Sequence, residues 1–228
     1  MKKVQLERVL QSLEAVPSPR ADIEQYPTPA AVAAEVAFIA YGKGDIDACR
    51  VLDAGCGNGV LGVAAKILGA AEVVGVDIDP LAIEVAKRNA RRAKVDVSWT
   101  HADVTAMSGP FDTVLMNPPF GSQTRHADLP FLDTALAVGR VVYSFHNAAT
   151  EEFVVRRIES RGGHVTDRAA YEFPLPRTFR FHREEVRRIP VVLLRSETTK
   201  GSLAAGRAYA ECGTPLSPPT AAGTPPPA

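Results

Sequence analysis

The stretch Val51-Leu52-Asp53-Ala54-Gly55-Cys56-Gly57-Asn58-Gly59 restricts the fold of this chain more than any other, because it runs a short apolar strand into a glycine-rich bend and then into a helix. Glycines at 55, 57 and 59 let the backbone come close to a ligand, and the helix start offers N–H donors. Strand-like and helix-like segments alternate from there. Strands are expected at Arg50–Asp53, Glu72–Val76, Val95–Thr100, Phe111–Met116 and Arg140–Phe145. Helices are expected at Gly59–Leu68, Pro80–Ala93, Leu129–Val138 and Thr150–Arg161, the last with Thr150 as N-cap and Gly162-Gly163 as its close. Two longer β segments follow, about His164–Phe173 and Glu185–Arg195. The pattern predicts an α/β fold whose mostly parallel sheet is covered by helices on both faces and finished by an antiparallel hairpin at one side.

The 228 residues suit one sizeable α/β domain with short appendages. Val4, Leu6, Val9, Leu10 and Leu13 lie at helical spacing within residues 1–16, and Pro17-Ser18-Pro19 ends that helix. A proline-punctuated loop then leads into an alanine-rich helix at Ala30–Tyr41. The organisation is therefore an N-terminal helix and loop (1–29), a main domain (30–200) and a tail (213–228). Six prolines among the sixteen tail residues leave too little apolar surface for a core, which predicts disorder. Lys plus Arg and Asp plus Glu are 26 each, so any nucleic-acid contact must come from a local patch. Cys49, Cys56 and Cys212 form no C-x-x-C pair and have no histidine cluster beside them, which argues against a metal site and suits a reducing cytosol. No apolar run is long enough to span a membrane, and no apolar secretory core follows Met1-Lys2-Lys3. The chain reads as cytoplasmic, without a membrane contact.

Three acids accompany the bend. Asp53 closes the strand before it, Asp77 stands at the tip of the next strand, where a carboxylate can accept both hydroxyls of a ribose, and Asp103 follows the third strand. Gly57-x-Gly59-x-x-Gly62 also satisfies the spacing of a phosphate-binding dinucleotide site, so spacing alone leaves both cofactor classes open. Either Asp77 or Asp103 taken singly reads equally as a loop carboxylate or a helix cap. Their joint occurrence with the fourth strand's ending is more informative.

That ending is Asn117-Pro118-Pro119-Phe120. An exocyclic or amide nitrogen is a poor nucleophile because its lone pair is delocalised. Two oxygens that accept its N–H bonds can aim the lone pair at a methyl donor. Asn117 Oδ1 and the Pro118 carbonyl are the candidate acceptors, Pro118 and Pro119 fix the turn, and Phe120 offers a flat face for a base or amide. Taken alone, the string also reads as an ordinary turn after a strand.

From Asp53 to Gly59 the chain resembles motif I of class I S-adenosylmethionine-dependent methyltransferases, which implies a Rossmann-like, seven-stranded fold. The resemblance narrows further on Met1-Lys2-Lys3-Val4, Glu24-Gln25-Tyr26-Pro27-Thr28, Asp53 through Leu61, Val76-Asp77-Ile78-Asp79, Met116 through Gly121, Tyr143-Ser144-Phe145-His146 and Phe181-His182-Arg183. These are similar to the methyltransferase-like protein 5 family, which methylates N6 of an adenosine in small-subunit ribosomal RNA, and the match runs to about Ser196. It implies S-adenosylmethionine held by Gln25, Thr28, Asp53, Gly55, Asn58, Gly59, Val60, Asp77, Asp103 and Val104, with Asp77 on the ribose and Asp103 on the adenine amino group. Asn117 through Phe120 become the catalytic turn. Some relatives carry Cys at position 58.

Arg177, Arg180, Arg183, Arg187 and Arg188 stand among Phe179, Phe181 and His182, a mixture that suits single-stranded RNA and reads equally as a solvated loop over two core phenylalanines. Tyr26, Arg125, His146, Phe179, Arg180 and His182 are the candidate substrate contacts, although a strand-end histidine such as His146 is more often structural. Val95, Val97 and Trp99 alternate on the third strand, which invites a partner strand if they are exposed. The resemblance names such a partner, a small zinc-containing activator protein of the Trm-one-one-two type. Release-factor glutamine methyltransferases and DNA adenine methyltransferases share the turn, but carry further domains for which few residues remain here. A non-catalytic RNA-binding assembly factor is the reading from another class.

Overall fold

Strands apolar on both faces need a helical layer on each side, and the computed structural model supplies both. It describes residues 1–17, 27–120, 126–174 and 188–199. The elements in chain order are α1 (Lys3–Gln11), α2 (Ala30–Gly42), β1 (Arg50–Ala54), α3 (Val60–Ile67), β2 (Glu72–Asp77), α4 (Pro80–Ala93), β3 (Ser98–His101), β4 (Phe111–Met116), α5 (Leu129–Val138), β5 (Gly139–Asn147), α6 (Glu151–Ser160), β6 (Gly163–Pro174) and β7 (Arg188–Thr198). One sheet holds all seven strands in the order β3-β2-β1-β4-β5-β7-β6. β1 to β5 pair in parallel, and β7 runs antiparallel to both β5 and β6.

Strand side chains alternate between the layers. Val51, Val73, Leu115, Val141 and Leu193 face the cluster that includes α1, α2 and α3 residues, and Leu52, Val74, Val114, Val142 and Leu194 face α5 and α6. One sheet with helices on both faces and an antiparallel pair at one side is the architecture that the resemblance implies. Burial explains why β7 enters the sheet while β6 takes the edge. Val191 through Leu194 are consecutively buried, whereas β6 is exposed at every second residue from His164 to Glu172. No helix among the described residues is long and apolar enough to cross a membrane.

Local boundaries depart from expectation where side chains or caps compete. α1 stops at Gln11, well before the prolines, because Ser12 closes it with both its N–H and its hydroxyl on the Val9 carbonyl. β3 begins at Ser98, three residues after the expected start. Lys94 adopts a left-handed conformation (φ 57°) and the Val95 N–H caps the Ala90 carbonyl, so Val95 belongs to the end of α4. Thr150 does occupy the N-cap position of α6, yet its hydroxyl turns back to the Asn147 carbonyl and caps nothing. β7 continues to Thr198, beyond the expected Arg195, because Thr198 is anchored by its hydroxyl to the Gly139 carbonyl.

Candidate active site

Register brings the two motifs together. β1 and β4 are parallel neighbours with Ala54 opposite Met116, so the next residues, Gly55 and Asn117, leave the sheet side by side at its C-terminal edge. That edge is where open α/β sheets bind ligands. The bend folds over the end of β2: Gly55 and Cys56 donate their N–H groups to the Val76 carbonyl, and Gly57 donates to Asp77 Oδ2 at 2.8 Å. Glycine is required at 59, where φ is +82° and an added Cβ would lie 2.6 Å from the Trp99 ring. Gly57 also has a positive φ but faces open space, with nothing within 4 Å of a Cβ placed there. The bend thus presents backbone at 57 to a ligand and is wedged from beneath at 59.

The acids divide by environment. Asp53 is buried and accepts the Gly62 N–H at 2.7 Å, tying the strand end to α3. Burial pushes its carboxyl up to about 8, against that hydrogen bond, and the nearby Asp77 charge adds to the rise. Burial also raises Asp77, although N–H bonds from Asp79 and Gly57 oppose it, and raises the Cys56 thiol. Asp103 behaves oppositely. Its Oδ1 accepts both the N–H and the hydroxyl of Thr105, which hold the carboxyl below its ordinary range. A short 3₁₀ turn, Val104–Ala106, follows, with Val104 buried in the α5/α6 layer.

The Asn117 amide is oriented by an element distant in sequence: its Nδ2 donates to Thr28 Oγ1 at 3.0 Å. The donor end of the amide lies on Thr28, and Oδ1 is the opposite end. Phe120 packs 6.2 Å, centroid to centroid, from Phe173, which in turn lies 5.2 Å from Phe145, so one side of its ring is backed by an aromatic cluster. Among the described residues no group of three or more His, Cys, Asp or Glu side chains could hold a metal ion.

Several expected contacts are placed differently. Asn58 donates its amide to the Glu14 carbonyl, which fixes the segment after α1 against the bend. Gly59 and Val60 face the interior, the former against Trp99 and the latter in the α1/α2/α3 layer. His146 is 1% exposed and makes no substrate-facing surface. Its Nε2 is 2.9 Å from Ser144 Oγ and its Nδ1 3.4 Å from Asp128 Oδ2, because β5 alternation points residue 146 inward, toward Asp128. Trp99 turns inward, over Gly75 and Gly59, and is only partly exposed, and Val95 and Val97, partly buried as well, pack on the core. Gln25, Tyr26, Arg125, Phe179, Arg180 and His182 lie outside the described residues, as does the 213–228 tail. The pairing of Thr28 with Asn117 was not readable from sequence; its only signal was the rigid Pro27-Thr28-Pro29 setting.

The family profile of ribosomal protein L11 methyltransferase (PrmA) matches residues 37–118, the cofactor half as far as the start of the catalytic turn. An uncharacterized protein of Methanocaldococcus jannaschii is 40% identical, over 86% of this chain and 94% of its own. The rRNA N(6)-adenosine-methyltransferase Mettl5 of Drosophila melanogaster is 34% identical, over 86% of this chain and 97% of its own. The chain belongs to the METTL5 family. A crystal structure from Pyrococcus horikoshii, described as that of a candidate RNA methyltransferase, superimposes with a TM-score of 0.81 at 38% identity, covering 87% of this chain and 98% of that one. This METTL5-family chain is accordingly a class I methyltransferase with S-adenosylmethionine as its methyl donor.

The residues at the edge fit that donor. The buried Asp53 and the half-buried Asp77 underlie the bend, and burial raises both carboxyls. A pyrophosphate laid there would disfavour the Asp77 carboxylate further, whereas the positively charged sulfonium cofactor favours it.

Proposed function

We propose that this chain transfers a methyl group from S-adenosylmethionine to N6 of an adenosine in RNA, with small-subunit ribosomal RNA as the substrate. The observation that carries the reading is the register of β1 and β4, which sets Asn117 beside Gly55 and so puts the turn next to the cofactor bend. When bound, S-adenosylmethionine supplies an electrophilic methyl. Backbone at Gly55 and Gly57, the Asp77 carboxylate at the ribose and Asp103 at the adenine amino group hold it, with Gln25 and Thr28 closing from the N-terminal side. Asn58, Gly59, Val60 and Val104 shape the cradle through the bend and its packing.

Asn117 Oδ1 and the Pro118 carbonyl accept the two N–H bonds of the target amine and turn its lone pair toward the methyl. Pro119 stiffens the turn, and the exposed side of Phe120 receives the extruded base. Positioning supplies most of the acceleration, because the proton can leave after the nitrogen has become cationic. The arginine and aromatic residues around Phe179, Arg180 and His182, together with Tyr26 and Arg125, contact the RNA. A small zinc-containing activator protein adds a strand to β3, whose outer edge pairs with no other strand among the described residues. Its contact is mainly through backbone, since Trp99 faces inward. The protein works in the cytoplasm.

Labelled S-adenosylmethionine incubated in parallel with ribosomal RNA, release factor or duplex DNA tests the substrate. Label in the RNA as N6-methyladenosine is the expected result. Label in release-factor glutamine, in DNA, or in none of the three overturns it, the last in favour of a binding factor without catalysis. In the same assay Asn117→Ala is expected to lower transfer by at least about a hundredfold while cofactor binding persists.

A further inference from the structure

We infer that Thr28 is a positioning residue for the catalytic amide, with its hydroxyl setting the rotation of Asn117. The inference rests on the reading of Asn117 as the group that holds the target amine. An asparagine side chain presents an oxygen and a nitrogen of nearly equal size at the end of one rotatable bond, so nothing in its shape fixes which end faces a substrate. A rotation that exchanged them would offer a donor to an amine already bearing two N–H bonds, and methylation would stop. The choice between the two ends must therefore come from hydrogen-bond partners, and Thr28 Oγ1, 3.0 Å from Asn117 Nδ2, is one that accepts from the donor end and so holds the observed rotation.

The hydroxyl is itself well fixed. Thr28 is 8% exposed and stands between Pro27 and Pro29, and the Pro29 carbonyl accepts the Ala33 N–H at 2.9 Å as α2 begins. Ala33, Ala34 and Ala37 of that helix are fully buried in the core. The anchor for the catalytic amide is thus a proline-flanked residue just ahead of a helix docked to the sheet, rather than part of the catalytic turn. This assigns Thr28 a task beyond any contact with the cofactor.

Two substitutions separate the possibilities. Thr28→Val keeps the shape and removes the oxygen; Thr28→Ser keeps the oxygen. At saturating S-adenosylmethionine, Thr28→Val is expected to lower kcat on the RNA substrate by about 10- to 100-fold, and Thr28→Ser to recover most of that loss. In the Asn117→Ala background Thr28→Val should add no further loss. An activity-independent readout accompanies these. The Asn117 side-chain amide signals in a ¹⁵N NMR spectrum, assigned by their disappearance in Asn117→Asp, are expected to shift and to exchange with solvent up to about tenfold faster in Thr28→Val but not in Thr28→Ser. The proposal is overturned if kcat at saturation is unchanged and only cofactor affinity falls, if Val and Ser variants lose activity equally, or if the Asn117 signals stay where they were. Should the wild-type chain methylate no RNA, the substrate assignment fails while the NMR comparison still decides the Thr28 contact.

Discussion

Replacing Gly75 by Ala tests whether the cofactor bend is supported from beneath by Trp99. Gly75 and Trp99 are register partners on β2 and β3, and a Cβ added at Gly75 would lie 2.2 Å from two carbons of the indole ring. Carbon atoms rest about 3.5 Å apart or more, so the ring would have to retreat by roughly 1.3 Å. The same ring faces Gly59, and the Cβ positions of Gly59, Gly62 and Gly75 bring Ala86, Val73 and Cys56 within 3.4 Å, so there is little room to yield. Overpacking of this kind costs about 1–3 kcal/mol. For a domain of this size that is a fall in Tm of roughly 2–12 °C. Trp99 is the only tryptophan in the chain, so urea melts followed by intrinsic fluorescence report both the stability and the displaced ring. Cofactor affinity should fall as well, because the ring reaches the residue at which the bend turns into α3. Trp99→Leu should remove most of the penalty when combined with Gly75→Ala, giving a coupling of at least about 1 kcal/mol. Additive effects, or a Gly75→Ala protein with unchanged stability and emission, would refute the packing argument.

The remaining predictions follow from buried charge. Asp53 has a folded-state carboxyl at about 8 against an ordinary 3.8, so the folded protein keeps a proton that the unfolded chain releases. Its contribution to stability is complete below about pH 4 and is lost as pH rises toward 8, with a slope of at most about 1.4 kcal/mol per pH unit. Asp77 shifts in the same direction. Urea unfolding at a series of pH values should show Asp53→Asn with a shallower decline, because an amide oxygen can still accept the Gly62 N–H; an unchanged slope would count against a proton on Asp53. Behind the sheet, Arg195 donates to Asp45 Oδ2 at 2.9 Å and Tyr143 donates its hydroxyl to the same oxygen at 2.7 Å, with all three residues buried. Asp45→Ala should cost about 1–3 kcal/mol in denaturant melts, since it takes the acceptor from Arg195 Nε and from the Tyr143 hydroxyl while Glu197 Oε1 still pairs with Arg195 Nη1 at 2.7 Å, and cofactor affinity should stay near wild type. His146→Phe should lower Tm with little change in KM for RNA, because the ring lies inside the fold; a rise in KM alone would restore it to the substrate surface.

Sequence periodicity was sufficient where burial has one solution. The strand–helix alternation, the glycine bend and the proline-locked turn each follow from local chemistry, and α4, α5 and β4 begin and end at the expected residues. The alternating apolar faces required two covering layers, and both are present. What sequence could not give were choices between partners far apart in the chain. β3 is the edge strand the sequence suggests, but Trp99 reads as an exposed partner contact until β3 is laid beside β2, where Gly75 leaves a space that only the packed sheet reveals. His146 reads as a strand-end contact until the pleat points it toward Ser144 and Asp128. Thr28 and Asn117 are separated by 89 positions, and no local propensity links a hydroxyl at one to an amide at the other. Side-chain chemistry decides which groups can act, but the docking of α2 against the sheet decides which way the catalytic amide faces.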